Sequence, residues 1–118
     1  MAESISAPAA LKGECTIYRA KEIHDLVAGL LNENDACELD LSGVRTMDTC
    51  ILQLLIAAKK EAANKEKTFV MKNHPAGVIK MMDLYGLIGF FGDPLRISPS
   101  LKKELLLSYG MKKMKGDV

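Results

Sequence analysis

Strong net charge is missing from this sequence, and so is any long apolar run. The 118 residues carry 16 basic and 15 acidic side chains, which leaves a formal net charge of +1. A chain with so little net charge lacks the general electrostatic field that draws proteins to nucleic acid or to anionic lipid. No apolar stretch approaches the roughly 18 to 20 residues that a membrane span requires. We therefore expect neither a nucleic-acid partner nor direct insertion into a membrane.

Cysteine is also scarce, and the three that occur are Cys15, Cys37 and Cys50. Their odd number and their spacing fit neither a disulfide framework nor a zinc site. Residues 1–10 lack the charged and apolar blocks of a secretory signal. These absences indicate a reducing compartment, and we expect a cytoplasmic protein.

The length and composition of the chain correspond to one globular domain. Of the 118 residues, 48% are apolar and 26% are charged, which is unlike a disordered or fibrous chain. Two domains would each be too short to bury a core of their own. We predict a loose tail over residues 1–8, the domain over 9–110 and a basic tail over 111–118.

Apolar residues recur at spacings that alternate between helix and strand. Ile23, Leu26 and Val27 open a stripe at helical spacing, which predicts a first helix over residues 19–33. Strict alternation of apolar and polar residues over 36–42 predicts a strand with one buried face. The other predicted elements are a short strand within 9–16, a turn at 43–46, a helix from Asp48 or Thr49 to Asn64, a strand over 67–71, a helix from Pro75 to Gly86, a strand over 95–98 and a closing helix over 100–108 that begins at Ser100.

This order of elements predicts an α/β fold, in which right-handed crossover connections place helices on a sheet. The strand over 36–42 should lie inside the sheet, with Leu39 and Leu41 facing the helices. Because the alternate residues of this strand are polar, helices should cover mainly one face of the sheet.

One segment resembles the signature of a known family. Residues 40–49 read Asp-Leu-Ser-Gly-Val-Arg-Thr-Met-Asp-Thr. The STAS domain has a similar signature: an apolar strand with an Asp-x-Ser step, a short turn, and then Met or Ile, Asp, and Ser or Thr where a helix begins. Residues 13–16 and 83–87 resemble two further steps of that family, and the resemblance extends over residues 10–91. It implies a STAS-like layered α/β fold, with a small mixed sheet and helices mainly on one face.

The STAS domain is shared by anti-sigma factor antagonists and by cytoplasmic tails of sulfate transporters. The resemblance therefore implies a non-enzymatic domain that binds an anti-sigma factor, a serine/threonine kinase or another signalling protein. In phosphorylated members the acceptor hydroxyl follows the family's Asp, which places Asp48 in the Asp position and Thr49 in the acceptor position. We predict a partner-binding surface formed by Thr16, Ser42, Asp48, Thr49 and Cys50.

Three features depart from the commoner pattern of the antagonists. Thr49 stands in place of Ser, and Thr16 stands where many antagonists have Asp. Cys50 and Ile51 replace a small residue and Gly. Thr49 and the Thr16-Ile17-Tyr18 run make the chain more similar to STAS proteins encoded beside bacterial chemotaxis components. Three functions stay open: a domain switched by phosphorylation at Thr49, an unmodified chemotaxis or signalling adaptor, and an accessory subunit of a lipid-transport ATPase.

The residue types at positions 48 and 49 allow two roles at a helix start. Backbone N–H groups there lack helical partners, and the helix dipole favours negative charge. A phosphate on Thr49 would be tolerated at that place, and it would repel Asp48 and an acidic partner surface. Alternatively, Asp48 or Thr49 caps the helix, with Met47 packing back onto it.

Other candidate sites have less support. An acid/base pair of Asp40 and Asp48 has no fixed separation, so a structural role for Asp40 is favoured. Cys50 is a candidate nucleophile for a thiol enzyme, but no neighbouring base supports it, and burial as a small filler is favoured. His24 and His74 lack a ligand partner at metal spacing and are assigned to the surface or to a cap. We predict no cofactor and no metal site.

Overall fold

The computed structural model describes residues 7–93 and 95–105. In chain order these form β1 (Ala7–Cys15), a 3₁₀ turn (Ile17–Arg19), α1 (Ala20–Glu33), β2 (Ala36–Met47), α2 (Thr49–Asn64), β3 (Thr68–Lys72), α3 (Ala76–Leu84), α4 (Ile88–Phe91) and α5 (Pro99–Glu104). Most of the two predicted tails lies outside the described residues. β1 begins at Ala7, ahead of the predicted domain start at residue 9.

The described strands form one sheet in the order β1-β2-β3, and both neighbouring pairs are parallel. α1 connects β1 to β2, and α2 connects β2 to β3. α1 and α2 line one groove together, with Val27 and Leu31 on one side and Leu54 and Ala58 on the other, so they lie on the same face of the sheet. Right-handed crossovers that move in the same direction across a sheet produce this arrangement. The α/β fold with helices on one face is confirmed. A mixed sheet was predicted, but a helix joins each described pair of strands, and such crossovers produce parallel pairing.

The core lies between the sheet and its covering helices. Along β2, Cys37, Leu39 and Leu41 are at most 1% exposed, whereas Glu38 and Asp40 between them are partly exposed. The predicted alternation is therefore confirmed, and Leu39 and Leu41 face the helices from the central strand.

The two covering helices follow the predicted spacing. Their buried side chains are Ile23, Val27 and Leu31 of α1, and Ile51, Leu52, Leu55, Ala58 and Ala62 of α2. Leu26 lies at the border of the α1 stripe and is 40% exposed. α2 has the predicted bounds, from Thr49 to Asn64. Within the described ranges, no helix combines the length and the apolar character needed to cross a membrane.

β2 is longer than predicted, because residues 43–46 continue the strand instead of forming a turn. Its pairing with β1 carries two register shifts over this stretch. Such irregularities bend a strand and change the direction of its side chains. The alternation of buried and exposed side chains therefore breaks. Val44 and Met47 are both buried, although residues three positions apart in a regular strand face opposite sides of the sheet. The glycine at position 43, which resembled a turn residue, lies in this bent part of the strand.

The chain after α3 departs most from prediction, because residues 95–98 do not form a strand. Side chains occupy the outer edge of β3 instead. Asp93 Oδ1 accepts a hydrogen bond from the Met71 N–H at 3.1 Å, and Lys59 Nζ donates to the Phe69 carbonyl at 3.0 Å. An additional strand would need these backbone groups.

α5 confirms part of the closing helix. The Ser98 hydroxyl accepts a hydrogen bond from the Leu101 N–H at 3.1 Å, so Ser98 caps the helix, where a start at Ser100 was predicted. Leu101 packs with Ile79 and Leu105 in a second small core. The predicted extension of this helix to residue 108 lies outside the described residues.

Candidate functional site

The carboxyl ends of β1 and β2 meet at one edge of the sheet, because the strands are parallel and Cys15 lies opposite Met47. The 3₁₀ turn follows β1 there, and α2 follows β2. Asp48 joins these two connections. Its N–H donates to the Cys15 carbonyl at 3.0 Å, and its Oδ2 accepts a hydrogen bond from the Ile17 N–H at 3.1 Å. The Asp48 carboxylate therefore fixes the position of the 3₁₀ turn relative to the start of α2.

An open depression of about 420 Å³ lies at this edge, and we call its lining residues the carboxyl-edge surface. These residues are Ile17, Met47, Asp48, Thr49, Cys50 and Met81. Thr49 is exposed and Cys50 is half-buried. Three of the five predicted partner-binding residues, Asp48, Thr49 and Cys50, thus lie together.

The other two predicted partner-binding residues differ in position. Thr16 is half-buried and directly precedes Ile17, so it borders the carboxyl-edge surface. Ser42 lies in β2, where its N–H donates to Asp40 Oδ1 at 2.9 Å. Residues 43–47 of β2 lie between Ser42 and Asp48, and at about 3.3 Å per strand residue the two can be up to roughly 20 Å apart. The structure therefore does not bring Ser42 to this surface, because β2 stays extended between the two residues.

The start of α2 has no side-chain cap. Asp48 occupies the N-cap position with extended backbone, but its side chain makes no capping hydrogen bond. The carboxylate is directed to the 3₁₀ turn instead. Thr49 is the first helical residue and makes no capping bond either. The interpretation of either residue as a hydrogen-bonding helix cap is therefore wrong.

Arg19, the last residue of the 3₁₀ turn, also holds the turn in place, a role that sequence reasoning missed. Its Nη1 donates to the Lys12 carbonyl at 2.6 Å and to the Glu14 carbonyl at 3.2 Å. Its Nε and Nη2 donate to the two carboxylate oxygens of Glu22 at 3.2 and 3.0 Å. The hydrogen bond from Arg19 lowers the pKa of the Glu22 carboxyl. The turn is thus fastened both to the end of β1 and to α1.

Two exposed apolar residues of the turn were also missed as site residues. Ile17 is 61% exposed and Tyr18 is 95% exposed. The available signal was the Thr16-Ile17-Tyr18 run, which lies before the apolar stripe of α1 and does not share its spacing. Met81 reaches the same surface from α3, and no local sequence pattern connects it with Thr49.

Asp40 has a structural role, as predicted. Its Oδ1 accepts hydrogen bonds from the Ser42 N–H at 2.9 Å and from Asn73 Nδ2 at 3.2 Å. These bonds, the Ser42 N–H first, lower the pKa of the Asp40 carboxyl. Asn73 has a positive φ of 59°, so the hydrogen bond that it donates to Asp40 supports a left-handed residue in the connection after β3. Because β2 is extended, Asp40 and Asp48 cannot act as an acid/base pair.

The two histidines have different environments. The His24 side chain is 65% exposed, as predicted. The prediction for His74 was wrong, because its side chain is 1% exposed and its Nε2 lies 3.3 Å from Asp93 Oδ2. No local pattern connects His74 with Asp93, which lies 19 residues further along the chain. Within the described ranges, no group of three or more His, Cys, Asp or Glu residues could hold a metal ion.

The three thiols provide a test of the thiol-enzyme alternative. Cys15 and Cys37 are at most 1% exposed, and burial raises the pKa of both. We expect iodoacetamide at about pH 8 to modify the half-buried Cys50 first, no faster than a small free thiol, and to spare the other two until the domain unfolds. Peptide mass spectrometry measures the order, and the same reaction in urea is the control. A Cys50 rate about a hundredfold above that of a free thiol would instead support an enzyme.

The comparison with known families adds a finding to this geometry. A family model described as "Mlab, STAS domain" matches residues 5–96. The match includes the segment over 40–49 and every residue of the carboxyl-edge surface. No match is found among the curated proteins.

Proposed function

The chain belongs to the STAS domain family, and from this membership we propose that it binds a protein partner through the carboxyl-edge surface and is switched by phosphorylation of Thr49. STAS domains in general are non-enzymatic regulatory domains that mediate protein interactions, and this chain is a regulatory domain similar to anti-sigma factor antagonists. The proposed partner is an anti-sigma factor, a serine/threonine kinase or another signalling protein of the cytoplasm. In this proposal the domain itself catalyses nothing.

The observation that carries the proposal is the placement of Thr49. It is an exposed hydroxyl residue at the first position of α2, a helix of 16 residues. The N–H groups of the first turn and the positive end of the helix dipole favour an anion at this place. A phosphate there is expected to leave the fold intact, because the Thr49 residue is exposed to solvent.

The same phosphate would change the surface that a partner meets. It adds almost two negative charges beside the Asp48 carboxylate. A partner that covers Thr49 would have to remove water from these charges, which is unfavourable without a matching cation. Phosphorylation is therefore expected to release the partner while the domain stays folded.

Thr49→Glu tests this switch by placing a fixed carboxylate at the same position. We expect partner affinity to fall by at least about tenfold, because the added charge must be desolvated. Thr49→Ala should bind within about threefold of wild type and lose less than about 0.5 kcal/mol of stability, since its hydroxyl caps nothing. Calorimetric titration measures affinity, using the partner that is isolated with the wild-type chain and then purified. Circular dichroism checks the fold.

Ser100→Glu is the matched control for added charge. Ser100 is an exposed hydroxyl residue in the first turn of α5, which packs on Ile79. A rotation of about 200° around the α3 axis separates residues 79 and 81, so their side chains lie on nearly opposite sides of that helix. Since α5 packs on Ile79, it lies away from Met81. Equal binding by Thr49→Glu and Ser100→Glu at the wild-type affinity would show that Thr49 is not a switch.

The second candidate function uses the same carboxyl-edge surface for partner binding but involves no phosphorylation of Thr49. Ile17, which lines the same depression as Thr49, and its chain neighbour Tyr18 provide exposed apolar contact area that needs no charge change. This observation favours an unmodified signalling adaptor or an accessory subunit of a lipid-transport ATPase. Mass spectrometry of the chain isolated from its own cells separates the two candidates, because only the switch predicts a phosphate on the peptide that contains Thr49.

A further inference from the structure

Tyr18 and Ile17 are the two most exposed large apolar side chains among the described residues, at 95% and 61%. They are neighbours in the chain, and both belong to the 3₁₀ turn at the carboxyl edge of the sheet. Burying such side chains is favourable, and the domain uses neither of them in its own core. Adjacent exposed apolar residues of this size indicate a contact site for another molecule.

The turn that carries them is held in place before any partner arrives. The Arg19 N–H donates to the Thr16 carbonyl at 2.9 Å, which closes the turn. Asp48 Oδ2 accepts a hydrogen bond from the Ile17 N–H, and Arg19 Nη1 donates to the Lys12 carbonyl. A recognition element that is already ordered loses little conformational entropy on binding.

We propose that Ile17 and Tyr18 are the anchor of partner binding, and that the partner is a folded protein with an apolar cleft that receives both side chains. This inference rests on the proposed function and specifies the chemistry of its partner. Tyrosine suits such an anchor, because its ring supplies apolar area while its hydroxyl can keep a hydrogen bond at the rim of the cleft. Asp48 is a positioning residue that holds the anchor through the Ile17 N–H.

Charge at the base of the anchor favours a protein over a membrane surface. Arg45 pairs with Glu14 at 3.8 Å, and Arg19 pairs with Glu22 at 3.0 Å. Asp48 adds a carboxylate, so this neighbourhood has no excess of positive charge to attract anionic lipid. Two apolar side chains alone give weak membrane affinity, whereas a protein cleft can enclose them on several sides.

An apolar cleft also explains the expected direction of the Thr49 switch. Ile17 and Thr49 line the same depression. A partner that encloses Ile17 would therefore bring apolar surface close to Thr49, and a charge on Thr49 would lose water without gaining a cation.

Alanine substitution of the anchor tests the proposal with the same purified partner. We expect Tyr18→Ala to weaken binding by at least about thirtyfold and Ile17→Ala by at least about tenfold. The controls are Phe90→Ala on α4 and Leu26→Ala on α1, which remove side chains that are each 40% exposed. Both controls should bind within about twofold of wild type. Circular dichroism should show the same fold for all four variants, because none of these side chains is buried.

The positioning role of Asp48 is tested by comparing the partner affinities of two Asp48 variants. Asp48→Ala removes the acceptor of the Ile17 N–H and should weaken binding by about tenfold. Asp48→Asn keeps an oxygen acceptor and should restore affinity to within about threefold of wild type. Equal affinities for the Ala and Asn variants would contradict the positioning role.

The outcomes separate this inference from the proposed function. Wild-type affinity of Tyr18→Ala and Ile17→Ala, together with weakened Thr49→Glu, would overturn the anchor and leave the switch in place. Wild-type affinity of all three variants would overturn both. Flotation with phosphatidylcholine vesicles that contain phosphatidylglycerol tests the membrane alternative. Vesicle binding that disappears in Tyr18→Ala would replace the protein cleft with a lipid surface.

Discussion

Leu41→Ala is expected to destabilise the domain by about 2 to 5 kcal/mol, because a truncated core residue loses apolar burial and leaves a cavity. Leu41 is 0% exposed and lies in the central strand of the sheet, facing the helices. Domains are stable by only about 5 to 15 kcal/mol in total, so this single change removes a large share. Urea unfolding followed by circular dichroism measures the loss.

Leu84→Ala is the matched control for this core substitution. It makes the same change at the end of α3, where the leucine is 57% exposed. We expect it to alter stability by less than about 0.5 kcal/mol. A similarly small loss for Leu41→Ala would place Leu41 at the surface and contradict the architecture.

The burial of Leu41 was predictable because its cause is local. A strand turns successive side chains to opposite faces, so apolar residues at every second position show directly which face is covered. The same reasoning located α1 and α2, where the spacing of Ile23 and Val27 or of Ile51 and Leu55 follows from helix geometry. In these elements, neighbours in the sequence determine the structure.

The errors occurred where a distant segment decides the structure. Residues 43–46 looked like a turn, but β1 lies beside them and supplies backbone partners through a shifted register. Residues 95–98 looked like a strand, but Asp93 bonds to the Met71 N–H that such a strand would use. Neither the pairing with β1 nor the Asp93 hydrogen bond can be recognised from the sequence of the segment whose structure it determines.

The residues of the candidate site also fall into two groups, those that a local sequence pattern predicted and those that only the fold brings together. Asp48 and Thr49 were found because strand, connection and helix start are contiguous in the family signature. Ile17 and Met81 come to the carboxyl-edge surface from other elements, so only the fold places them there. Ser42 does not line this surface, because residues 43–47 of β2 separate it from Asp48, and its role in partner binding stays a prediction.

Asp93→Ala should also cause a large loss of stability, about 2 to 4 kcal/mol, because two buried groups lose their partner. Asp93 Oδ1 accepts a hydrogen bond from the Met71 N–H, and Oδ2 lies against His74 Nε2. The His74 and Asp93 side chains are 1% and 2% exposed, so water cannot easily replace the lost contacts. Urea unfolding measures this loss, with the exposed Asp25→Ala as a control that should stay within about 0.5 kcal/mol.

Asp93→Asn separates the contributions of Met71 and His74. The asparagine oxygen can still accept a hydrogen bond from the Met71 N–H, but its amide group presents a donor to His74 Nε2. The imidazole would then have to move its proton to Nδ1, a buried atom that has no partner among the described residues. We therefore expect stability to fall in the order wild type, Asp93→Asn, Asp93→Ala, with the Asn variant losing about 1 to 2 kcal/mol. If Asp93→Ala is as stable as wild type, Asp93 does not fasten the edge of β3, and the absence of a strand over residues 95–98 needs another cause.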